Sequence, residues 1–182
     1  MKTQQLFFLL MAMFAFSTLS AQTCEPGLEQ IPPMSDSDYN PAGSPNWFTF
    51  GNQLVANQIT LLESGDMTQV NYVKGAIVSG SVRAAVYNSE MQLIAESNIV
   101  FPDFTGTNAI DTVTIPLQVP VFVNAGEIYY VGVKFASNTS RNLRKFDDAE
   151  GTRLHVQNFF NQPFPADISN IPTEDGLYAI WG

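Results

Sequence analysis

The chain has 182 residues, with eight Lys and Arg against 17 Asp and Glu, a formal net charge of -9, one cysteine and one histidine. So acidic a surface repels DNA, RNA and anionic membrane, and no nucleic-acid partner is expected. A single cysteine excludes an internal disulfide. One His with one remote Cys falls short of a zinc ligand set, so a domain of this length must be held by its apolar core.

Met1-Lys2-Thr3 precedes an apolar run over 6–16 and the small-residue stretch Ser17-Thr18-Leu19-Ser20-Ala21. The run is shorter than the roughly 20 apolar residues a bilayer span needs, and the pattern predicts a secretory signal peptide over 1–21. The expected location is secreted, extracellular or cell-surface, with the periplasm within the same expectation. No later stretch is apolar enough to span. Cys24 follows Gln22 and Thr23. A lipid-attachment site wants a small residue directly before the cysteine, so lipidation fits poorly. Pairing with another chain stays open, and a bystander thiol is the favoured reading.

Residues 22–46 are rich in Pro, Gly, Ser and Asp and predict an irregular N-terminal segment. Asp36, Asp38 and Asn40 alternate as the oxygen ligands of a calcium loop do. The sixth position is Pro41 rather than Gly and the twelfth is Trp47 rather than Glu, so a Ca²⁺ site is weak and solvated carboxylates are favoured.

From Trp47 the chain alternates in short runs that predict one β-domain over 47–182. Trp47-Phe48-Thr49-Phe50 is a first strand. Residues 54–62 follow, with Val55, Asn57, Ile59 and Leu61 on one face and Leu54, Ala56, Gln58, Thr60 and Leu62 on the other; neither face is cleanly polar. Residues 68–78 form a third strand, with Gly75 a candidate bulge. Val82, Ala84 and Val86 share a face over 82–87, Asn88-Ser89-Glu90 turns, and 93–97 returns. In 112–117, Val113, Ile115 and Leu117 point inward, and Pro116 marks an edge strand or a strand end. Val119, Val121 and Val123 continue that alternation to a turn at 124–127. Residues 128–135 place Tyr129, Val131, Val133 and Phe135 in the core. Residues 137–151 read as polar, 154–160 as a strand, 161–175 as a loop, and 177–181 as a last strand. Strands and turns at this spacing predict an all-β antiparallel β-sandwich, jelly-roll-like in type.

Four stretches carry a resemblance: Phe50-Gly51-Asn52-Gln53, Ala85-Val86-Tyr87-Asn88, Leu93-Ile94-Ala95, and the run from Val123 through Asn124-Ala125-Gly126-Glu127 to Val133. Over about 50–135 they resemble β-sandwich and jelly-roll domains of secreted and surface proteins of bacteria. The leader, with Ser20-Ala21-Gln22, resembles export signals of the Bacteroidota. The resemblance implies architecture; many such domains have no assigned activity, and it carries no catalytic residue.

No nucleophile elbow accompanies His155, which reads as a surface or hydrogen-bonded sheet histidine. Glu90, Glu96, Asp103 and Glu127 show no spacing that selects a glycosidase pair. Arg141, Arg144, Lys145 and Arg153 invite an anionic sugar, but Asp147, Asp148 and Glu150 beside them make a local charge network the favoured reading. Asn138-Thr139-Ser140 is a formal glycosylation sequon, of consequence only in a host that glycosylates there. The chain is therefore expected not to be an enzyme. Aromatic side chains beside amides give the strongest hint of a ligand: Asn158, Phe159, Phe160, Asn161 and Phe164, with Phe101 and Phe104 as a second patch. Each Phe is weighed against simply plugging the end of a sandwich, the favoured reading for each. The expected function is a non-catalytic binding module for a glycan or another cell-surface protein. The alternative is a structural or assembly subunit of a cell-surface structure, to which 22–46 would add a strand.

Overall fold

The computed structural model of the chain describes residues 47–48, 51–74, 80–102, 111–136, 143–146 and 151–182. Twelve strands follow one another: β1 (Trp47–Phe48), β2 (Gln53–Thr60), β3 (Gly65–Lys74), β4 (Val82–Tyr87), β5 (Leu93–Glu96), β6 (Asp111–Val123), β7 (Ile128–Phe135), β8 (Leu143–Phe146), β9 (Thr152–Gln157), β10 (Thr173–Asp175), β11 (Leu177–Tyr178) and β12 (Ile180–Trp181). All paired strands run antiparallel.

One layer is a six-stranded sheet in the order β10-β9-β2-β7-β4-β5. The facing layer is β1-β8-β11 on one side and β12-β3-β6 on the other. β11 and β12 are two halves of one segment, broken only at Ala179, whose carbonyl accepts from the Val73 N–H at 3.0 Å. The C-terminal residues thus run down the middle of the second layer. The layers share a core of Val55, Ile59, Val70, Tyr72, Val82, Val86, Ile115, Val131, Val133, Phe135, Tyr178 and Ile180, among others. This is an all-β sandwich; the strand orders do not by themselves establish a jelly roll.

The core faces expected for 82–87, 112–117 and 128–135 are the faces observed. The two apolar faces of β2 have a direct cause. Val55 and Ile59 face the second layer, while Leu54 and Ala56 join a second cluster on the outer face with Ala85, Tyr87, Tyr130, Leu154, Phe164 and Ile168. That outer face is covered by residues 158–171, which cross it as a strap from the end of β9 to the start of β5. There Leu93 N–H donates to Ala166 O at 2.9 Å and Ile168 N–H to Met91 O at 3.0 Å. A sheet covered on both faces loses the polar alternation of a half-exposed one.

Four expectations need correction. β9 ends at Gln157, because Asn158 turns out of the sheet into the strap. β8 lies within 137–151, which read as polar, and β10 within 161–175, which read as a loop. The edge position read from Pro116 is the one observed, with β6 running on through it as one strand at the edge of its layer. The alternation fails at Val119, which is 70% exposed. Between the pairs Gln69–Pro116 and Met67–Val121, residues 117–120 of β6 face only Thr68 of β3. The surplus chain bulges out and carries Val119 to the surface. Gly75, the expected bulge, lies outside the described residues.

Candidate functional site

The aromatic loop residues divide between plug and surface. Asn52, in the left-handed region at φ 56°, anchors the start of the strap: its carbonyl accepts from Asn158 N–H at 3.0 Å and its Oδ1 from Phe160 N–H at 3.2 Å. Phe160 and Phe164 are buried, and Phe164 belongs to the outer-face cluster. Asn158 is buried with its amide occupied, Oδ1 accepting from Lys134 Nζ at 2.5 Å. These three are packing and anchoring groups, not an open sugar platform. Phe159, 51% exposed, and Asn161 remain on the surface, as does Phe101 at 77%. Gln157 pairs with Gln53, Asn52 bonds Phe135, and Val82 pairs with both Phe135 and Val100. Phe159 and Phe101 therefore sit at the same end of the sheet, with β2, β7 and β4 between them. Phe104, Asp36, Asp38, Asn40, Cys24, Arg141, Asp147, Asp148, Glu150 and the Asn138 sequon lie outside the described residues.

Lys134 is the polar centre beneath the strap. It projects from β7 to the outer face and is fully buried. Its Nζ donates to Asn158 Oδ1, to Gln162 O at 2.7 Å and to Phe159 O at 3.4 Å, and lies 4.4 Å from the centre of the Phe164 ring. All three acceptors are neutral. Burial, with Arg83 nearby, pulls its pKa down to about 8, and Glu96 offsets this only partly. Glu96 is held by Arg83 at 2.8 Å, and Arg83 also lies 4.9 Å from the Phe164 ring. Every donor of Lys134 with a stated partner is turned to the strap, so this cluster fastens a loop and offers no opening to a ligand.

Other candidates fall into structural roles. His155 is half-exposed on β9, with Nδ1 3.5 Å from Glu174 on β10, which is the sheet role expected of it. Glu127 sits in the β6–β7 turn, accepting from Tyr129 Oη at 2.8 Å and Asn124 Nδ2 at 3.1 Å; those bonds hold its carboxyl below the usual range. Glu90 lies in the β4–β5 hairpin, away from Glu96 on the strand. Among the described residues, no three His, Cys, Asp or Glu stand together to hold a metal ion.

Among the described residues, an open concave surface lies at the side of the sandwich. β5 ends one layer and β6 the other, and the isolated pair Ser97–Leu117 joins the two edges. Ser97 is buried and fully engaged, its Oγ accepting from Ala84 N–H at 2.8 Å and donating to Asn98 O at 2.7 Å. Beyond this contact the edges part around the β6 bulge. They leave a groove of about 310 Å³ lined by Leu93, Ile94, Ala95 and Glu96 on one side and Gln118, Val119, Pro120 and Val121 on the other. At its far end the strap covers the first residues of β5 through the Gln92–Asp167 pair. The groove is thus a window in the strand edge, closed above and below. Ile94 and Val119 are exposed within it, and Phe122, 62% exposed, flanks it. Sequence reasoning passed over these residues because strict alternation buries Val119. The available signal was the pair Pro116 and Pro120 inside one apolar run.

No protein-family model matches the chain, and no curated protein sequence matches it.

Proposed function

We propose that this chain is a non-catalytic domain of the extracellular space or cell surface that binds another protein through the groove between β5 and β6. The leader over 1–21 supports the location. The groove itself carries the reading: apolar side chains stand exposed on two strand edges that converge on a concave surface. Apolar patches rimmed by polar residues mark interaction sites, and open strand edges are the usual seats of extended peptide segments. A subunit of a surface assembly would use the same groove for its neighbour. Phe101, Phe159 and Asn161 favour a second reading, a glycan bound at the sheet end, since exposed rings beside an amide suit a sugar.

The test is a selection from a displayed library of extended peptides, run beside a glycan array, on the wild-type chain and on Val119→Asp. Peptides enriched by the wild type and lost with Val119→Asp are the expected result. Glycan binding that ignores Val119→Asp, with no peptide enriched, would overturn the reading in favour of the sheet end.

A further inference from the structure

The surroundings of the groove define the chemistry of its partner. The loops of the sandwich beyond the strap-covered end of the groove are 61–66, 88–92, 124–127 and 166–169. They hold Glu63, Asp66, Glu90, Glu127 and Asp167, all exposed, and contain no Lys or Arg. Asp66 pairs with Phe122, one residue from the groove-lining Val121. Glu90 lies in the hairpin leading into β5, and Asp167 pairs with Gln92 directly before Leu93. Carboxylates therefore stand on both sides of an apolar groove. Of the described basic side chains, Arg83 reaches the groove, where it pairs with Glu96 beside the Ser97–Leu117 contact so that the two charges offset each other there; Lys134 lies beneath the strap and Arg153 is turned to Glu174. The Ser169 side chain and the Ser169 N–H, the latter at 2.7 Å, hold the Asp167 carboxyl below its usual range, as Tyr129 and Asn124 do that of Glu127.

Resting on the reading of the groove as a protein-binding surface, we propose that its occupant is an extended peptide segment with a large apolar side chain flanked by lysine or arginine. The apolar side chain seats against Ile94, Ala95, Val119 and Val121. The flanking cations face Asp66, Glu90 and Asp167. An acidic or neutral segment of the same shape would meet repulsion or no attraction, so the carboxylates select among partners while the groove supplies the contact. Charges on the rim of such a surface act at a distance of several ångströms through water and are screened by salt.

Two fluorescein-labelled octapeptides test this, each with the centre Val-Ile-Val, one flanked by lysines and one by glutamates. Binding is read by fluorescence anisotropy at low salt and in 0.5 M NaCl. The proteins are the full chain, a triple variant D66N/E90Q/D167N, and Val119→Asp; a thermal melt confirms that each is folded. The lysine-flanked peptide is expected to bind the wild type at least about tenfold more tightly at low salt, as three weak exposed ion pairs allow. Salt and the triple variant should each erase that preference, and Val119→Asp should abolish binding of both peptides. Equal affinity for the two peptides, still lost with Val119→Asp, would overturn the basic-segment proposal while the groove survives. Binding of neither peptide, or binding of both undiminished by Val119→Asp, would overturn the groove reading itself.

Discussion

Two buried polar side chains carry much of the specificity of this sandwich. Asn57 of β2 points inward, where an apolar residue would be expected, because it fastens the C-terminal segment. Its Nδ2 donates to Tyr178 O at 2.7 Å and Ile180 O at 3.1 Å, and its Oδ1 accepts from Tyr178 N–H at 2.8 Å. One side chain thus ties the six-stranded layer to the middle of the other and satisfies backbone groups where the strand breaks at Ala179. Lys134 does the equivalent on the outer face, and its burial makes stability depend on pH. Its folded pKa lies at about 8, below the ordinary lysine value of 10.5. Between those values the unfolded chain binds the extra proton, so stability rises with pH across that window. Tyr72 and Tyr87 act in the opposite sense. Burial raises both phenols well above the ordinary tyrosine value of 10.0, so stability falls once unfolded tyrosines ionise above that pH. Urea denaturation should therefore show a midpoint that climbs from about pH 8 to about pH 10 and declines beyond it. Lys134→Met should flatten the climb and keep the decline. A wild-type midpoint that is level or falling from pH 8 to 10 would contradict the lowering of the Lys134 pKa by burial.

At the scale of elements, the strap over 158–171 and the bulge in β6 decide which apolar residues are buried and which are free. Both were only partly legible in the sequence. Alternation identifies a strand with one wet face, as in 112–117, where inward and outward residues fell as read; in 128–135, covered on both faces, the inward residues fell as read but the burial of Tyr130 and Lys134 was not legible. It is silent where both faces are covered, so β2 had no readable register, and it misleads where surplus residues shift the phase, as at Val119. The strap could not be told from a ligand loop, since Phe and Asn beside Pro serve either role. The plugging role holds for Phe160 and Phe164, while Phe159 and Phe101 are exposed. Substitution should separate the two kinds: Phe164→Ala is expected to destabilise by about 3–5 kcal/mol, as truncation of a buried aromatic does. Phe159→Ala should stay within about 0.5 kcal/mol, as for an exposed position. Equal losses in chemical denaturation would contradict the assignment of Phe164 to the covered face.

Over the whole molecule, the two layers differ in how they finish. The six-stranded sheet is covered on both sides, by the second layer and by the strap. On the side where β5 and β6 meet, the layers join through a single strand-to-strand contact and then part. That parting leaves an acidic-rimmed apolar groove on a chain whose net charge is already -9. The acidity is a reason to expect no nucleic-acid partner, and its placement around the groove is what the proposed basic partner rests on. The fold class was legible because it needs only turns and alternation. The groove was not, because it arises from a register shift between β3 and β6 and from the pairing of Gln92 with Asp167 in the strap, far apart in the chain. The most direct test of the groove as the binding surface is amide chemical-shift mapping by NMR, with the lysine-flanked octapeptide titrated into the full chain. Shifts should cluster at 93–97 and 117–122 and reach Asp66 and Asp167. Shifts confined to the sheet end around Phe101, Phe159 and Asn161, with the groove unmoved, would contradict it.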